Sequence, residues 1–252
     1  MGININRSKN ITVNGNLVVD ISQRTVVALD KATDVVGGIL ACAYVTGDCS
    51  DISVINNIVA GTTFVGFAGY GHECNKYTSK AFKNNTAHSI DGVGAVIFQD
   101  PNEASQRVCM EGSYFYAYKT TEDGAISYFS YKEVQYSNMI FIDCGYGPNT
   151  LVGQEGDDLV ARMKSIKIYG ESPARDCFYE GECDSRWHAG CTSRNGMMIS
   201  YFSTSGKDVL PRSKSALPIH KISKDASWGG RSEYDGIEFI GFTDNRTWCG
   251  AS

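Results

Sequence analysis

A near-repeated phrase constrains this chain more than any other feature. Asn56-Asn57-Ile58-Val59-Ala60-Gly61 is followed 28 residues later by Asn84-Asn85-Thr86-Ala87-His88-Ser89, and each phrase trails a short apolar run and leads into glycines. A fainter echo, Asn14-Gly15-Asn16-Leu17-Val18-Val19, lies near the start. Recurrence at this spacing marks a repeat architecture, in which each unit buries its apolar face by stacking on its neighbours.

The other runs agree with short strands. Ile11-Thr12-Val13, Leu17-Val18-Val19-Asp20, Thr25-Val26-Val27-Ala28, Ile52-Ser53-Val54 and Thr63-Phe64-Val65-Gly66-Phe67 are β-branched or aromatic and bounded by Gly, Asn, Asp and Ser. Ala95 to Phe98, Met139 to Ile142, Ser165 to Ile168 and Ile237 to Ile240 continue the series. Helical periodicity is confined to Asp157 to Met163, enough for one or two turns. The expected class is all-β. The 27 glycines against 5 prolines put the chain breaks mostly on glycine, which suits sharp corners between short strands.

Sandwiches need tight hairpin turns, and the best candidate is Asp123-Gly124, between the aromatic runs Tyr114 to Tyr118 and Tyr128 to Tyr131. Parallel coils instead set like beside like at a recurring offset, Asn on Asn at corners and apolar residues inside. The Asn-Asn phrases favour the coil. At about 25 residues per coil, roughly ten coils spaced ~4.8 Å apart make a rod about 50 Å long. Irregular spacing of the phrases predicts loops of variable length projecting from one face. Residues 1–252 are expected to form one such domain.

Charge and cysteine narrow the setting. The net charge of −5 and the scattered Lys and Arg give no basic stripe of the kind nucleic-acid binding requires. No run approaches the roughly 20 apolar residues of a membrane span, and Met1 to Asn6 lacks the regions of a signal peptide. Nine cysteines without a Cys-x-x-Cys pair fit an oxidising compartment, so Cys42, Cys49, Cys74, Cys109, Cys144, Cys177, Cys183, Cys191 and Cys249 are disulfide candidates. Cys42 and Cys49 are spaced to close a small loop. An odd number leaves at least one free or paired outside the segment. Sequons at Asn6, Asn10, Asn84 and Asn245 agree with a secreted glycoprotein. Extracellular character without a signal is expected of an internal piece of a longer polypeptide.

At the Asn-Asn phrases a family likeness comes into view. Asn56 to Phe67 (NNIVAGTTFVGF), Cys74 and Asn84 to Phe98 (NNTAHSIDGVGAVIF) resemble the parallel β-helix region of fibrocystin and fibrocystin-like proteins, whose relatives include the cell-migration-inducing hyaluronidases. The likeness runs on through Tyr116-Ala117-Tyr118-Lys119 with Gly124, and Ser137-Asn138-Met139-Ile140 to Asp143. Gly196-Met197-Met198, Ser205-Gly206-Lys207, Leu217 to Lys221 and Ser227-Trp228-Gly229-Gly230 extend it toward the C-terminus. The resemblance implies a right-handed parallel β-helix in the ectodomain of a large surface protein, often on cilia or flagella, without assigned catalysis. The hyaluronidase branch is the exception, and its catalytic residues find no matching positions here.

Several constellations bear on chemistry. Asp157-Asp158 resembles the paired acids of polygalacturonases, and Gly71-His72-Glu73 and Ile166-Lys167 echo other fragments of that site. Their order is wrong, and adjacent strand residues face opposite ways, so a solvated turn is the simpler reading. Cys177, Cys183, His188 and Cys191 are chemically able to hold zinc, but the spacing matches no standard module. In an oxidising compartment they pin a protruding loop instead, with Cys144 or Cys249 as a distant partner. Tyr114, Tyr116, Tyr118, Tyr128 and Tyr131 are candidates for contact with a glycan or protein partner, against the plainer alternative of a cross-strand ladder. His88 and His220 read as structural histidines.

The function expected from these readings is a non-enzymatic extracellular structural and interaction module. It takes no cofactor or metal, and its partners are surface proteins, copies of itself or carbohydrate. End-to-end assembly follows from the open strand edges of a solenoid. The rival classes are a polysaccharide-degrading enzyme, hyaluronidase-like or pectinase-like, and a lectin-like glycan-binding module.

Overall fold

The computed structural model describes residues 2–5, 8–21, 37–41, 50–74, 82–98, 109–121, 123–130, 133–152, 160–170, 198–199 and 231–242. They are almost entirely β-strand, and every pairing among them is parallel except one two-residue contact. The strands stack in three ladders, and the chain visits the three in turn before returning to the first one layer higher.

The first ladder holds β2 (Lys9–Asn14), β5 (Ser50–Ile55), β8 (Phe82–Lys83), β10 (Cys109–Ser113) and the opening halves of β13 (Glu133–Ile142), β15 (Val160–Tyr169) and β17 (Arg231–Ile240). The second holds β3 (Leu17–Ile21), the openings of β6 (Ile58–Tyr70) and β9 (Thr86–Phe98), β11 (Tyr116–Thr120) and the closing halves of β13, β15 and β17. The third holds β1 (Ile3–Ile5), β4 (Gly37–Ala41), the ends of β6 and β9, β12 (Asp123–Ser130), β14 (Tyr146–Val152) and β16 (Met198–Ile199).

Between the first and second ladders every coil turns at one residue with positive φ. These are Gly15, Asn56, Asn84, Tyr114, Asn138, Ser165 and Gly236, with φ between 51 and 69°. Asparagine tolerates this left-handed region and glycine enters it freely, so the Asn-Asn phrases mark a turn that the backbone itself demands. A second such series closes the second ladder at Asp20, Gly61, Ser89, Lys119, Asp143 and Gly241.

The expected corner ladders are present, in two rows. Outside, Asn84 Nδ2 donates to Asn56 Oδ1 at 2.7 Å and Asn56 Nδ2 donates to Asn14 Oδ1 at 2.9 Å. Inside, Asn57 Nδ2 donates to Asn85 Oδ1 at 3.1 Å, and Asn16 Nδ2 donates to Asn57 Oδ1 at 2.9 Å. Asn57 and Asn85 are buried, and their remaining N–H groups reach Val13, Ile55 and Val54 carbonyls. From the next coil on, apolar side chains take the inner position: Phe115, Met139, Ile166 and Ile237.

The core is filled in columns. Val18, Val59, Ala87, Ala117, Phe141 and Ile168 succeed one another in register along the second ladder, all buried. Phe67, Phe82, Phe115 and Phe141 interlock with ring centroids 5.7 to 6.4 Å apart. Facing that column, the third ladder carries a run of glycines: Gly38, Gly66, Gly94 and Gly124 occupy equivalent positions in successive coils. A Cβ on Gly38 would lie 2.2 Å from Val59 Cγ1, and one on Gly124 would lie 2.2 Å from Phe141 Cδ1, both side chains of the second ladder. The glycines therefore let the second and third ladders close on each other.

Three sequence expectations are corrected. Asp123-Gly124 is no hairpin turn: both residues lie in β12, which pairs in parallel with β9 and β14. Val160 to Met163, read as part of a helical turn, is strand, because burial of Val160, Ala161 and Met163 against neighbouring coils outweighs a short local preference. Seven coils, rather than ten, pass the first corner among the described residues, since paired strands of neighbouring coils lie as much as 71 residues apart, as Lys164 and Asp235 do. Their six spacings amount to about 29 Å. Thr25 to Ala28, Asp157 and Asp158 lie outside the described residues.

Candidate interaction surface

Strand alternation sends every other residue of the second ladder outward. In register, one outward column reads Leu17, Ile58, Thr86, Tyr116, Ile140, Lys167 and Glu238. Its neighbour reads Val19, Ala60, His88, Tyr118, Ile142, Tyr169 and Ile240. The two make a flat strip that is aliphatic at the N-terminal end, aromatic in the middle and charged along one edge of the last coils. Leu17 is 66% exposed, Val19 54% and Ile58 42%, unusual values for neighbouring large apolar side chains.

The aromatic centre is packed ring on ring. His88 and Tyr118 stack with centroids 4.5 Å apart and planes 7° from parallel, and Tyr116 leans on Tyr118 at 5.3 Å. Each ring of the stacked pair covers one face of the other. Ser89 Oγ lies 3.4 Å from His88 Nδ1. Partial burial lowers the His88 pKa below its ordinary value, so the imidazole is neutral at pH 7. Burial raises the Tyr116 hydroxyl, helped by the neighbouring Tyr118. At the charged end Lys167 and Glu238 form an exposed ion pair at 3.4 Å. Arg162, on the first ladder, bridges Glu133 of the coil below and Glu233 of the coil above.

The sequence-derived candidates divide accordingly. Tyr116 and Tyr118 are brought together on the strip. Tyr114 stands apart, exposed at the first corner, with Lys83 Nζ 5.2 Å from its ring centroid. The Tyr128 side chain and Tyr131 lie outside the described residues. Of the sequon residues, Asn10 and Asn84 are exposed and both adopt positive φ, Asn10 within β2 and Asn84 at the first corner. The Asn84 amide donates to Asn56, a bond that a glycosylated amide can retain because it keeps one N–H. Asn6 and Asn245 lie outside the described residues, as do His220 and the cluster of Cys177, Cys183, His188 and Cys191.

Among the cysteines, Cys74 and Cys109 form a disulfide with Cα atoms 5.3 Å apart, enclosing one whole coil. It sits where β7 (His72–Glu73) runs antiparallel to β10. Cys144, expected as a disulfide partner, is instead a buried free thiol that donates weakly to the Ala117 and Ile142 carbonyls. Burial pushes its pKa up to about 11, which leaves it protonated and unreactive. The cause is positional, since Cys144 follows the Asp143 corner and turns into the core. Cys42, Cys49 and Cys249 lie outside the described residues.

Sequence reasoning missed the aliphatic part of the strip and the glycine column. Both carried a signal: Leu17/Val19 and Ile58/Ala60 sit at equal distances after the Asn phrases, and Gly38-Ile39, Gly66-Phe67, Gly94-Ala95 and Gly124-Ala125 recur as glycine followed by an apolar residue. No family model, curated protein or solved structure matches the chain.

Proposed function

We propose that this chain is a right-handed parallel β-helix of a fibrocystin-like surface glycoprotein, acting outside the cell, on cilia or flagella in particular, as a stiff non-enzymatic spacer that binds a protein partner. The observation that carries this reading is the outward strip of the second ladder, where exposed Leu17, Val19 and Ile58 share one surface with Tyr116 and Tyr118, with Thr86 and His88 between them. Apolar and aromatic surface of this kind is released from water by a matching protein face. The ring geometry favours protein over sugar: the stacked faces of His88 and Tyr118 are turned to each other, whereas a sugar ring needs an open aromatic face. The Cys74–Cys109 disulfide and the two outward sequons support an oxidising, glycosylating compartment.

Surface biotinylation of intact cells, combined with a glycosidase mobility shift, tests the location. Labelling and a shift are expected; a protein reached only after lysis, with no shift, overturns it. Partner contact is tested by crosslinking on the cell surface with the double variant Leu17→Lys, Ile58→Lys. Both side chains are exposed, so folding is preserved and the crosslinked product is expected to vanish. A product unchanged in the variant moves the contact off this strip.

A further inference from the structure

The last coil is built like the others but lacks a cover. Tyr234 follows Tyr136 and Met163 in the innermost column of the first ladder, and Phe239 follows Phe141 and Ile168 in that of the second. Those predecessors are buried to 2% exposure or less, whereas Tyr234 is 39% and Phe239 53% exposed. Phe242 packs edge-on against Phe239 at 5.8 Å and is itself 37% exposed. Among the described residues β17 pairs on one side only, with β15. At the other end β2 and β3 likewise pair on one side only, with β5 and β6.

The two ends carry complementary halves of one bonding pattern. At each first corner the positive-φ residue donates its N–H to the carbonyl just before the corner of the next coil, as Gly15 does to Ile55, Asn56 to Lys83 and Asn84 to Ser113. The residue after it donates to the next asparagine side chain, as Asn16 and Asn57 do to Asn57 Oδ1 and Asn85 Oδ1. The following N–H donates backward, as Ile58 does to the Asn16 carbonyl. Of Asn16, Asn57 and Asn85, only Asn16, in the first coil, has an Oδ1 that meets no donor among the described residues. The last coil presents the matching corner residue, Gly236, with the Ile237 N–H beyond it, and among the described residues no further strand pairs with β17.

We infer that the β17 end accepts the β2–β3 end of a second copy of this chain, continuing the first and second ladders head to tail. In that register Gly236 lies over Gly15. The Gly236 N–H donates to the Asn14 carbonyl, the Ile237 N–H to Asn16 Oδ1, and the Leu17 N–H to the Ile237 carbonyl. Tyr234 is covered by Val13 and Phe239 by Val18, extending both apolar columns. Outside, the acceptor carboxylate of Asp235 meets the Asn14 amide, whose Oδ1 is already taken by Asn56. A second copy fits because parallel coils repeat one edge pattern, so the edge each coil offers upward is the one it accepts from below. The inference rests on the coil reading of the three ladders and concerns its ends, independently of the outward strip.

Two end variants of the full chain, made without glycans, test it. Phe239→Glu puts a charge on the upper end at an already exposed position. Leu17→Pro removes the lower donor N–H on an edge strand, where proline is tolerated. Sedimentation velocity should show the unmodified chain growing in mass with concentration and each variant remaining a monomer at a concentration at least tenfold higher. An equimolar mixture of the two should give a 1:1 dimer that grows no further, since each retains one working end. A wild-type monomer at every concentration overturns the inference; assembly unaffected by either variant, or no dimer in the mixture, also overturns it. None of these outcomes touches the surface-labelling result, so the two readings fail separately.

Discussion

In the coils that turn at Gly15, Asn56 and Asn84, the inside of the first corner is held by amides; in those that turn at Tyr114, Asn138 and Ser165 it is held by Phe115, Met139 and Ile166. The backbone geometry is the same in both regions, with φ confined to a narrow positive range. Two chemistries thus satisfy one shape. The asparagine ladder supplies donors and acceptors to buried backbone groups at the turn, while the apolar rungs supply packing and leave the turn to ordinary ladder bonds. The difference shows that the coil dictates the corner and that the side chain adapts to it.

The comparison can be broken from either side, and the apolar side should give the larger effect. Phe115 touches Phe67, Phe82 and Phe141 and is buried, so Phe115→Ala should cost about 4 kcal/mol in urea unfolding. A loss under ~1 kcal/mol would mean that the ring stack is not what holds the later corners. Asn57→Ala removes a buried amide that serves Asn16, Asn85, Val13 and Ile55, and about 3 kcal/mol should go with it. Equal losses for Asn57→Ala and Asn84→Ala would erase the distinction between inner and outer rows.

Smaller effects sharpen the contrast. Tyr114 pays for its positive φ where Asn56 and Asn84 do not, so Tyr114→Asn should stabilise by about 0.5–1 kcal/mol, measured as a higher urea midpoint. A destabilised variant would show that the contact of Lys83 with the Tyr114 ring outweighs the backbone. Asn84→Ala, in the exposed row, should cost only about 0.5 kcal/mol. The smallest effect is one of pH. His88 has a lowered folded pKa, so the unfolded chain binds the proton more readily. Stability present above the ordinary histidine value of 6.5 is lost as pH falls through the folded pKa. Urea midpoints at pH 7.5 and 5.5 should therefore drop more for the wild type than for His88→Gln; parallel drops would remove His88 from the account.

Much of the scaffold was legible in sequence because it repeats. Ile11 to Val13, Leu17 to Asp20, Ile52 to Val54, Met139 to Ile142 and Ile237 to Ile240 all fall inside observed strands, and the Asn phrases fall on the corner. Where a local preference stood against a neighbouring coil, the coil won. Asp123-Gly124 has turn chemistry but occupies a strand, because Gly124 is needed where Phe141 leaves no room for a Cβ: its closest atom would lie 2.2 Å away. Tyr114 and Lys119 adopt positive φ that neither favours, since their coils must turn in line with Asn84 and Ser89. The interaction strip was half legible: Tyr116 and Tyr118 stand out in sequence, while Leu17, Val19 and Ile58 look like core until register shows which way they point.

Sequence by itself determined that this chain is all-β, where its coils turn in the N-terminal half, and that asparagine lines those turns. These follow from strand periodicity and from the φ that asparagine and glycine tolerate, which are properties of short stretches. Only the tertiary structure decided which apolar residues face inward, that Cys144 is a buried thiol while Cys74 finds Cys109, and that the last coil leaves Phe239 exposed. Each of those depends on which coil lies above or below, at separations of 24 to 71 residues that no local pattern encodes.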